Sequence, residues 1–385
     1  MRIIFLTSKF NFEGGGGSSP ELDSKVRALR SLGHDVSVVT VFSQGNKPFS
    51  LPYTVHEERI PGDRGEFVIQ SGIFHLLKKY EAQADVFCTE GQFAFGAGTY
   101  RLLGGRVPVE IHFNRELTSF PDTRSKAHFS FLRRMRFVFE TKIGFRLIDR
   151  CSLFTFTSPV LRDLYGSLSL DLKKAIIIPD FFDTRAMVKL EGTTEETANK
   201  RGEPKEKLLL FCTGRLVKEK GFDIVIRAFA RLQHRSQFHL CISGDGEEKD
   251  ALLALAKELG VESSITFPGW VTKEELYAWY RKADIFLIPR WRPELTSMLV
   301  FEGMSFALPC IVVKDSAIAW QTADAALTFK DEDDADLAAR IEEYASHPEL
   351  RANLAKKGLA RLEDLDERKN VVTLDSALRG IAIKK

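Results

Sequence analysis

Short apolar runs alternate with helix-patterned segments along almost the whole chain, and that alternation is the strongest constraint on how it folds. The first unit reads RIIFLT at 2–7, a glycine cluster at 14–17, then Ser18, Ser19 and Pro20 as a helix-start signature. Leu22, Val26, Leu29 and Leu32 follow at helical spacing, Gly33 stops the helix, and 35–41 is again strand-like. Further strands are predicted at 85–88, 107–112, 153–157 and 175–178. A polar, charged stretch at 185–207 then breaks the pattern and reads as a connection between domains. The alternation restarts with strands at 208–212, 239–243, 265–268, 285–288 and 310–313. Helices are predicted between them at 221–232, 249–259, 274–282 and 295–305. Strands alternating with helices imply parallel sheets covered on both faces. The expectation is an α/β chain of two doubly wound, Rossmann-like domains facing a central cleft. The domains are placed at 1–190 and 208–385, joined by a linker at 191–207, with the last helix a candidate to return to the first domain. Ligands of such sheets sit outside the carboxyl ends of the strands, so the residues there are the ones to read.

Composition narrows the chemistry. A chain of 385 residues is long enough for two cores. A net charge of +2 gives no field suited to nucleic acid, and no nucleic-acid partner is expected. The five cysteines are scattered, with no CxxC pair and no metal-ligand spacing, which argues for a reduced, cytoplasmic setting and no metal. The first residues turn polar too early for a signal peptide, and no run reaches the roughly 18 apolar residues of a membrane span.

Two motifs carry chemistry. In RPELTSMLVFEGMSFALPC, 292–310, Glu294 and Glu302 stand eight positions apart around an apolar run. Glu294 follows a predicted strand and is expected to open a helix, beside the free N–H groups of its first turn, with Glu302 two turns further along the same face. A diphosphate at that helix start, with a carboxylate at each end, is one reading; an ordinary amphipathic helix is the other. In CTGRLVKEKGFDIVIRAF, 212–229, a strand ends and Gly214, Arg215, Lys220 and Gly221 bound a loop before a helix. Two cations there suit a pyrophosphate and would neutralise a leaving group without a metal. Lys218 reads as a solvated loop charge. The Asp-x-Asp strings at Asp331–Asp333 and Asp364–Asp366 read as solvated faces, the first at a helix start and the second within a charged helix.

With these motifs in their order, the chain resembles the family 4 glycosyltransferases of the two-domain GT-B fold. The matching features are Glu294 with Glu302, Met304 and Pro309; the GRLVKEKG loop; GDG at 244–246; FPGWV at 267–271; and, at the front, GGGG and LRSLGHDVSVVT. The resemblance implies a retaining transfer of a sugar from a nucleotide diphosphate donor, of UDP or GDP type, to a glycan or lipid-linked acceptor, with no cofactor and no metal. It implies that Glu294 bonds the donor sugar and Glu302 the ribose, and that Arg215 and Lys220 clamp the diphosphate. The amides of Met298 and Leu299, next to Ser297, would face the diphosphate too, with Gly214 and Gly244 beside them. The chain at Trp270 and Val271 would line the base, Gly15 and Gly16 would approach the phosphate and acceptor side, and His112 would lie near the transferred sugar. The chain departs from the family pattern at Thr296 and Ser297, where Phe-Gly is usual, and at Asp180 and Phe181, where Asn-Gly is usual. Two other readings stay open: a sugar-nucleotide epimerase on the same fold, and a non-catalytic sugar-nucleotide-binding partner subunit. A stretch at 124–146 interleaves Arg and Lys with Phe, Leu and Met. Either it rests on an anionic membrane surface as a peripheral contact or it packs on the first domain.

Overall fold

The computed structural model describes residues 1–10, 18–42, 50–61, 65–115, 135, 137–289 and 295–382. The chain forms two units, Met1–Phe182 with Glu367–Lys385, and Asp183–Asp366.

Unit 1 is built on a seven-stranded sheet in the order β3-β2-β1-β4-β5-β6-β7. The strands are β1 (Arg2–Thr7), β2 (Asp35–Thr40), β3 (Val55–Glu57), β4 (Val86–Glu90), β5 (Val109–Phe113), β6 (Leu153–Phe156) and β7 (Ala175–Ile177). Every pairing is parallel. Successive side chains of a strand point to opposite faces, and β1 sorts accordingly. Ile4 and Leu6 join the core beneath the helices Glu66–Tyr80 and Ala94–Leu102. Ile3 and Phe5 join a second core with Leu22, Val26 and Leu29 of the helix Ser18–Ser31. Val371, Leu374 and Leu378 of the last helix, Glu367–Ala382, complete that second core. The final helix is thus part of unit 1.

Unit 2 carries a six-stranded sheet in the order β10-β9-β8-β11-β12-β13. Its strands are β8 (Leu208–Thr213), β9 (Phe238–Ser243), β10 (Ile265–Gly269), β11 (Ile285–Ile288), β12 (Cys310–Val313) and β13 (Ala326–Phe329), again all parallel. The runs LLLFCT and CIVV are almost wholly buried, as strands covered on both faces require. In each sheet the strand order reverses direction at one point, between β1 and β4 in unit 1 and between β8 and β11 in unit 2. A crevice forms at such a point because the flanking connections leave on opposite faces.

The stretch expected as a linker at 191–207 is folded onto unit 2. It contains the helix Glu195–Lys200. Arg201 is buried and donates to the carbonyls of Ala283 and Phe306, while buried Arg351 donates from Nε to the carbonyl of Arg201 at 2.9 Å. The charge that suggests a solvated connection in the sequence is here spent on buried main-chain acceptors. Asp366 departs in the same way from the solvated face read for it. It is 2% exposed and pairs with Thr184 Oγ1 and Arg185, both at 3.4 Å. Asp333 caps the helix Asp334–Ser346 by accepting from the Asp336 N–H, as its place at a helix start predicts.

Candidate functional site

In unit 2 the loops after β8, β9 and β10 are stitched into one rim by their main chains. Gly214 N–H donates to the Ser243 carbonyl at 3.0 Å, and Gly244 N–H to the Gly269 carbonyl at 2.8 Å. A Cβ on Gly244, whose φ is 138°, would lie 1.9 Å from the Gly214 oxygen. One on Gly221, at φ 68°, would lie 2.2 Å from the Pro289 oxygen, where the loop after β8 meets the end of β11. These glycines are where backbones pass too closely for any side chain. Along the rim stand exposed Arg215, half-buried Lys220, and Trp270, which is exposed although large and apolar. Val271, beside it, is half-buried and precedes the capping box of Thr272 and Glu275 that starts the next helix.

The helix after β11 is Met298–Ser305, with Ser297 at its N-cap. It starts later than the sequence pattern suggests, because Leu295, Thr296 and Ser297 are non-helical. Glu302 lies within this helix; Glu294 lies outside the described residues. The amides of Met298 and Leu299 belong to the first turn, whose N–H groups have no partner within a helix. Ser297 is held by its main chain. Its N–H donates to Gln321 Oε1 at 2.8 Å, and its carbonyl accepts from Gln321 Nε2 at 3.4 Å. Glu302 accepts from the Tyr280 hydroxyl at 2.8 Å. Burial raises the Glu302 carboxyl above its ordinary value, against the Tyr280 hydrogen bond and the charge of Lys273.

In unit 1 a cavity of about 30 Å³ lies at the carboxyl ends of β1, β4 and β5, lined among others by Thr7, Lys25, Glu90, Glu110, His112 and Asn114. Glu90 ends β4 and accepts from the Thr7 hydroxyl, the Ser8 N–H and the Gln92 amide. Burial raises its carboxyl nonetheless. His112 is next to last in β5, and its Nδ1 lies 2.8 Å from Thr155 Oγ1. Thr155 donates in turn to Glu110. The second ring nitrogen, Nε2, is buried and makes no hydrogen bond among the described residues. Burial, reinforced by the charge of Lys25, holds the His112 ring well below its ordinary value and so uncharged at neutral pH. Lys25 is itself buried and pairs with Glu21 at 2.9 Å, which keeps its own value raised despite desolvation. Gly15 and Gly16 lie outside the described residues.

Family models match both halves of the chain: "Glycosyltransferase Family 4" over residues 16–186 and "Glycosyl transferases group 1" over 193–361. The chain belongs to the family 4, group 1 glycosyltransferases. A mannosylfructose-phosphate synthase of Agrobacterium fabrum is 30% identical over 190 residues, 46% of this chain and 41% of that relative. The lipopolysaccharide core biosynthesis glycosyltransferase LpsD of Rhizobium meliloti is 31% identical over 183 residues, 46% of this chain and 52% of LpsD. The matches thus span about half the length of these relatives or less. Among solved structures, Anabaena Alr3699/HepE in complex with UDP aligns with a TM-score of 0.72 at 16% identity, over 99% of this chain and 100% of that one. The sucrose-phosphate synthase of Thermosynechococcus elongatus aligns with 0.78 at 16%, over 100% of both. The two units are the Rossmann-like domains of the GT-B fold.

Arg215 and Lys220, read from the sequence as donor-binding, follow β8, and the helix Met298–Ser305, expected from 295, follows β11. The sequence does not single out Gln321, Tyr280, Glu90, Glu110 or Thr155. Tyr280 lies within the helix Lys273–Lys282, where its spacing reads simply as core. Gln321 lies in the short helix Ala317–Thr322 after β12, and only folding brings it to Ser297. Glu110 alone leaves a signal, as an acid inside the apolar strand VEIHF.

Proposed function

We propose that this glycosyltransferase moves a hexosyl group, with retention, from a UDP or GDP sugar to a glycan or lipid-linked acceptor, without a metal. The observation that carries the reading is the composition of the unit 2 rim. Exposed Arg215, Lys220 and the first-turn amides of the Met298 helix all stand at the carboxyl ends of the strands flanking the switch point. Cations and helix N–H groups suit a diphosphate leaving group. Glu302, half-buried and already bonded to Tyr280, is assigned to the ribose, Trp270 and Val271 to the base, Glu294 and His112 to the sugar. HepE, solved with UDP, and a relative described as a GDP-mannose-dependent mannosyltransferase of Mycobacterium tuberculosis support a nucleotide-sugar donor. In the transfer the bond from the anomeric carbon to the diphosphate breaks as the acceptor oxygen bonds to the same face. The departing phosphate oxygen takes the acceptor's proton, so no general base opposite the leaving group is needed. Thermal stabilisation by a panel of UDP-, GDP-, ADP- and TDP-sugars tests donor binding. At one hundred times its dissociation constant a donor adds about 2.7 kcal/mol, and no stabilisation by any of the panel contradicts the reading. NMR of the first-formed product then tests retention: an α-linked donor giving a β-linked product refutes it.

The acceptor reading draws support from one exposed face of unit 1. Met135, Val138, Phe139 and Ile143 are each at least 50% exposed and recur at helical spacing. Lys142, Arg146 and Arg150 are exposed on the same stretch, and its two acids are not: Glu140 is buried and Asp149 half-buried. Residues 116–134 and 136, most of the basic stretch, lie outside the described residues. We assign this face to an anionic lipid surface, since apolar side chains flanked by cations match the boundary of such a bilayer. The chain should sediment with vesicles containing phosphatidylglycerol, less so at 0.5 M salt, and V138D/F139D should abolish it. Equal sedimentation with neutral vesicles, or dimerisation through this face without lipid, overturns the assignment. No helix among the described residues is long and apolar enough to cross a membrane.

A further inference from the structure

The side chains under the unit 1 cavity form a chain that ends on His112. Thr155 Oγ1 lies between His112 Nδ1, at 2.8 Å, and a Glu110 oxygen. A hydroxyl has one proton to give. If Thr155 gives it to an ionised Glu110, its oxygen must accept from His112, so the imidazole proton is on Nδ1 and Nε2 is a bare acceptor. If Glu110 is protonated and donates to Thr155, the hydroxyl turns to donate to His112 Nδ1, and the ring proton moves to Nε2. We propose that Glu110, acting through Thr155, selects whether the His112 nitrogen left over, Nε2, accepts or donates a hydrogen bond. His112 lines the cavity, so the choice decides which ligand group it can take there. An acceptor takes a sugar hydroxyl's proton; a donor takes an oxygen lone pair.

The surroundings make both states reachable. Glu110 is 3% exposed, and desolvation pushes its carboxyl up to about 7, partly offset by the Thr155 hydrogen bond, Lys25 and the Cys88 thiol. The charged and titratable groups facing it are Lys25 and Glu21 from the helix Ser18–Ser31, Cys88 from β4, Cys151 just ahead of β6 and, through the Thr155 hydroxyl, His112. Burial, with the charge of Lys25 added to it, lowers His112 and so keeps the ring neutral in either state. Buried Nε2, without a partner among the described residues, is the reporter atom. Glu110 and Thr155 are positioning residues: they act on a ligand only through His112.

The inference rests on the proposed function only in giving His112 a sugar to meet. The test is independent of activity, so the two can fail separately. Long-range ¹⁵N–¹H spectra of the full chain, with His112 assigned by its loss in H112Q, report the protonation of each ring nitrogen from pH 5.5 to 8.5. The wild-type Nε2 signal should pass from the protonated to the unprotonated position as pH rises, with a midpoint near 7. T155V, which removes the relay at nearly constant volume, and E110Q, which removes the titrating group, should each make the tautomer independent of pH. Where one variant does not fold, the other decides. A single wild-type tautomer across the range, or the same titration in a folded variant, overturns the proposal.

Discussion

Glu302 sits where its surroundings oppose its charge, and Tyr280 is what offsets this. The Tyr280 hydroxyl donates to one carboxylate oxygen, which leaves the other without a hydrogen bond among the described residues. That arrangement suits a ribose diol. Glu302→Ala is therefore expected to weaken donor binding with turnover little changed, and Glu294→Ala to lower turnover with donor binding kept. The KM and kcat of both purified, folded variants decide it, and wild-type values in both discard the site. Arg215 is exposed and close to the rim, so its loss leaves the fold intact. Arg215→Ala should cost about 2–4 kcal/mol in transition-state stabilisation, comparable to losing one oxyanion donor. On the proposed reading, in which these cations serve the diphosphate without a metal, transfer should also persist in EDTA. Activity that vanishes in the chelator and returns with a divalent ion contradicts that.

At the scale of elements, the rim of unit 2 depends on contacts between loops rather than on any one of them. The turns after β8 and β9 approach so closely that Gly244 has no room for a methyl group against the Gly214 oxygen. Gly244→Ala should destabilise unit 2 by about 2–4 kcal/mol, combining backbone strain with a carbonyl clash. Gly192, at φ 62° with nothing within 4 Å of an added Cβ, provides the comparison. There an alanine should cost only about 1 kcal/mol of strain. Urea unfolding of the two variants measures the difference, and equal losses would mean that the close approach is relieved by loop movement. The same dependence on neighbours holds for the helix Met298–Ser305. Its N-cap serine makes no side-chain cap bond, and Gln321 fixes the main chain there instead.

For the whole molecule, unit 1 contains its cluster of buried ionisable groups at the price of a pH-dependent stability. Glu110 titrates near 7 when folded and at an ordinary 4.5 when unfolded. Below about pH 4.5 the group is protonated in both states and costs nothing. As pH rises from about 4.5 to 7 the unfolded carboxyl ionises while the buried one keeps its proton, so stability falls, and the loss is complete once the folded group ionises. Glu110→Gln should therefore match the wild type near pH 4.5, gain on it up to pH 7, and level off above that, by at most about 3 kcal/mol. Denaturation at several pH values measures it, and a constant difference from pH 4.5 to 8 would show that Glu110 is not the titrating group.

The α/β class, the two doubly wound units and the strand ends that carry Gly214, Arg215, Lys220 and His112 were legible in the linear pattern. Strand and helix periodicities are local, and the strong ones, such as RIIFLT and CIVV, need no partner to be read. The weak ones were not legible. β3 is three residues at a sheet edge, none of them buried, and β13 is ALTF after an alanine-rich turn, so only pairing with β2 and β12 makes them strands. That 191–207 belongs to unit 2, and where the Met298 helix begins, came only with the folded chain, which also seats the last helix in unit 1, where the sequence had it as a candidate. Tertiary structure also decided which groups meet. Thr155 is 45 positions from Glu110, and Gln321 is 24 from Ser297. Hydrogen bonds between such residues depend on sheet order and loop closure, which a linear pattern of apolar and charged residues does not encode.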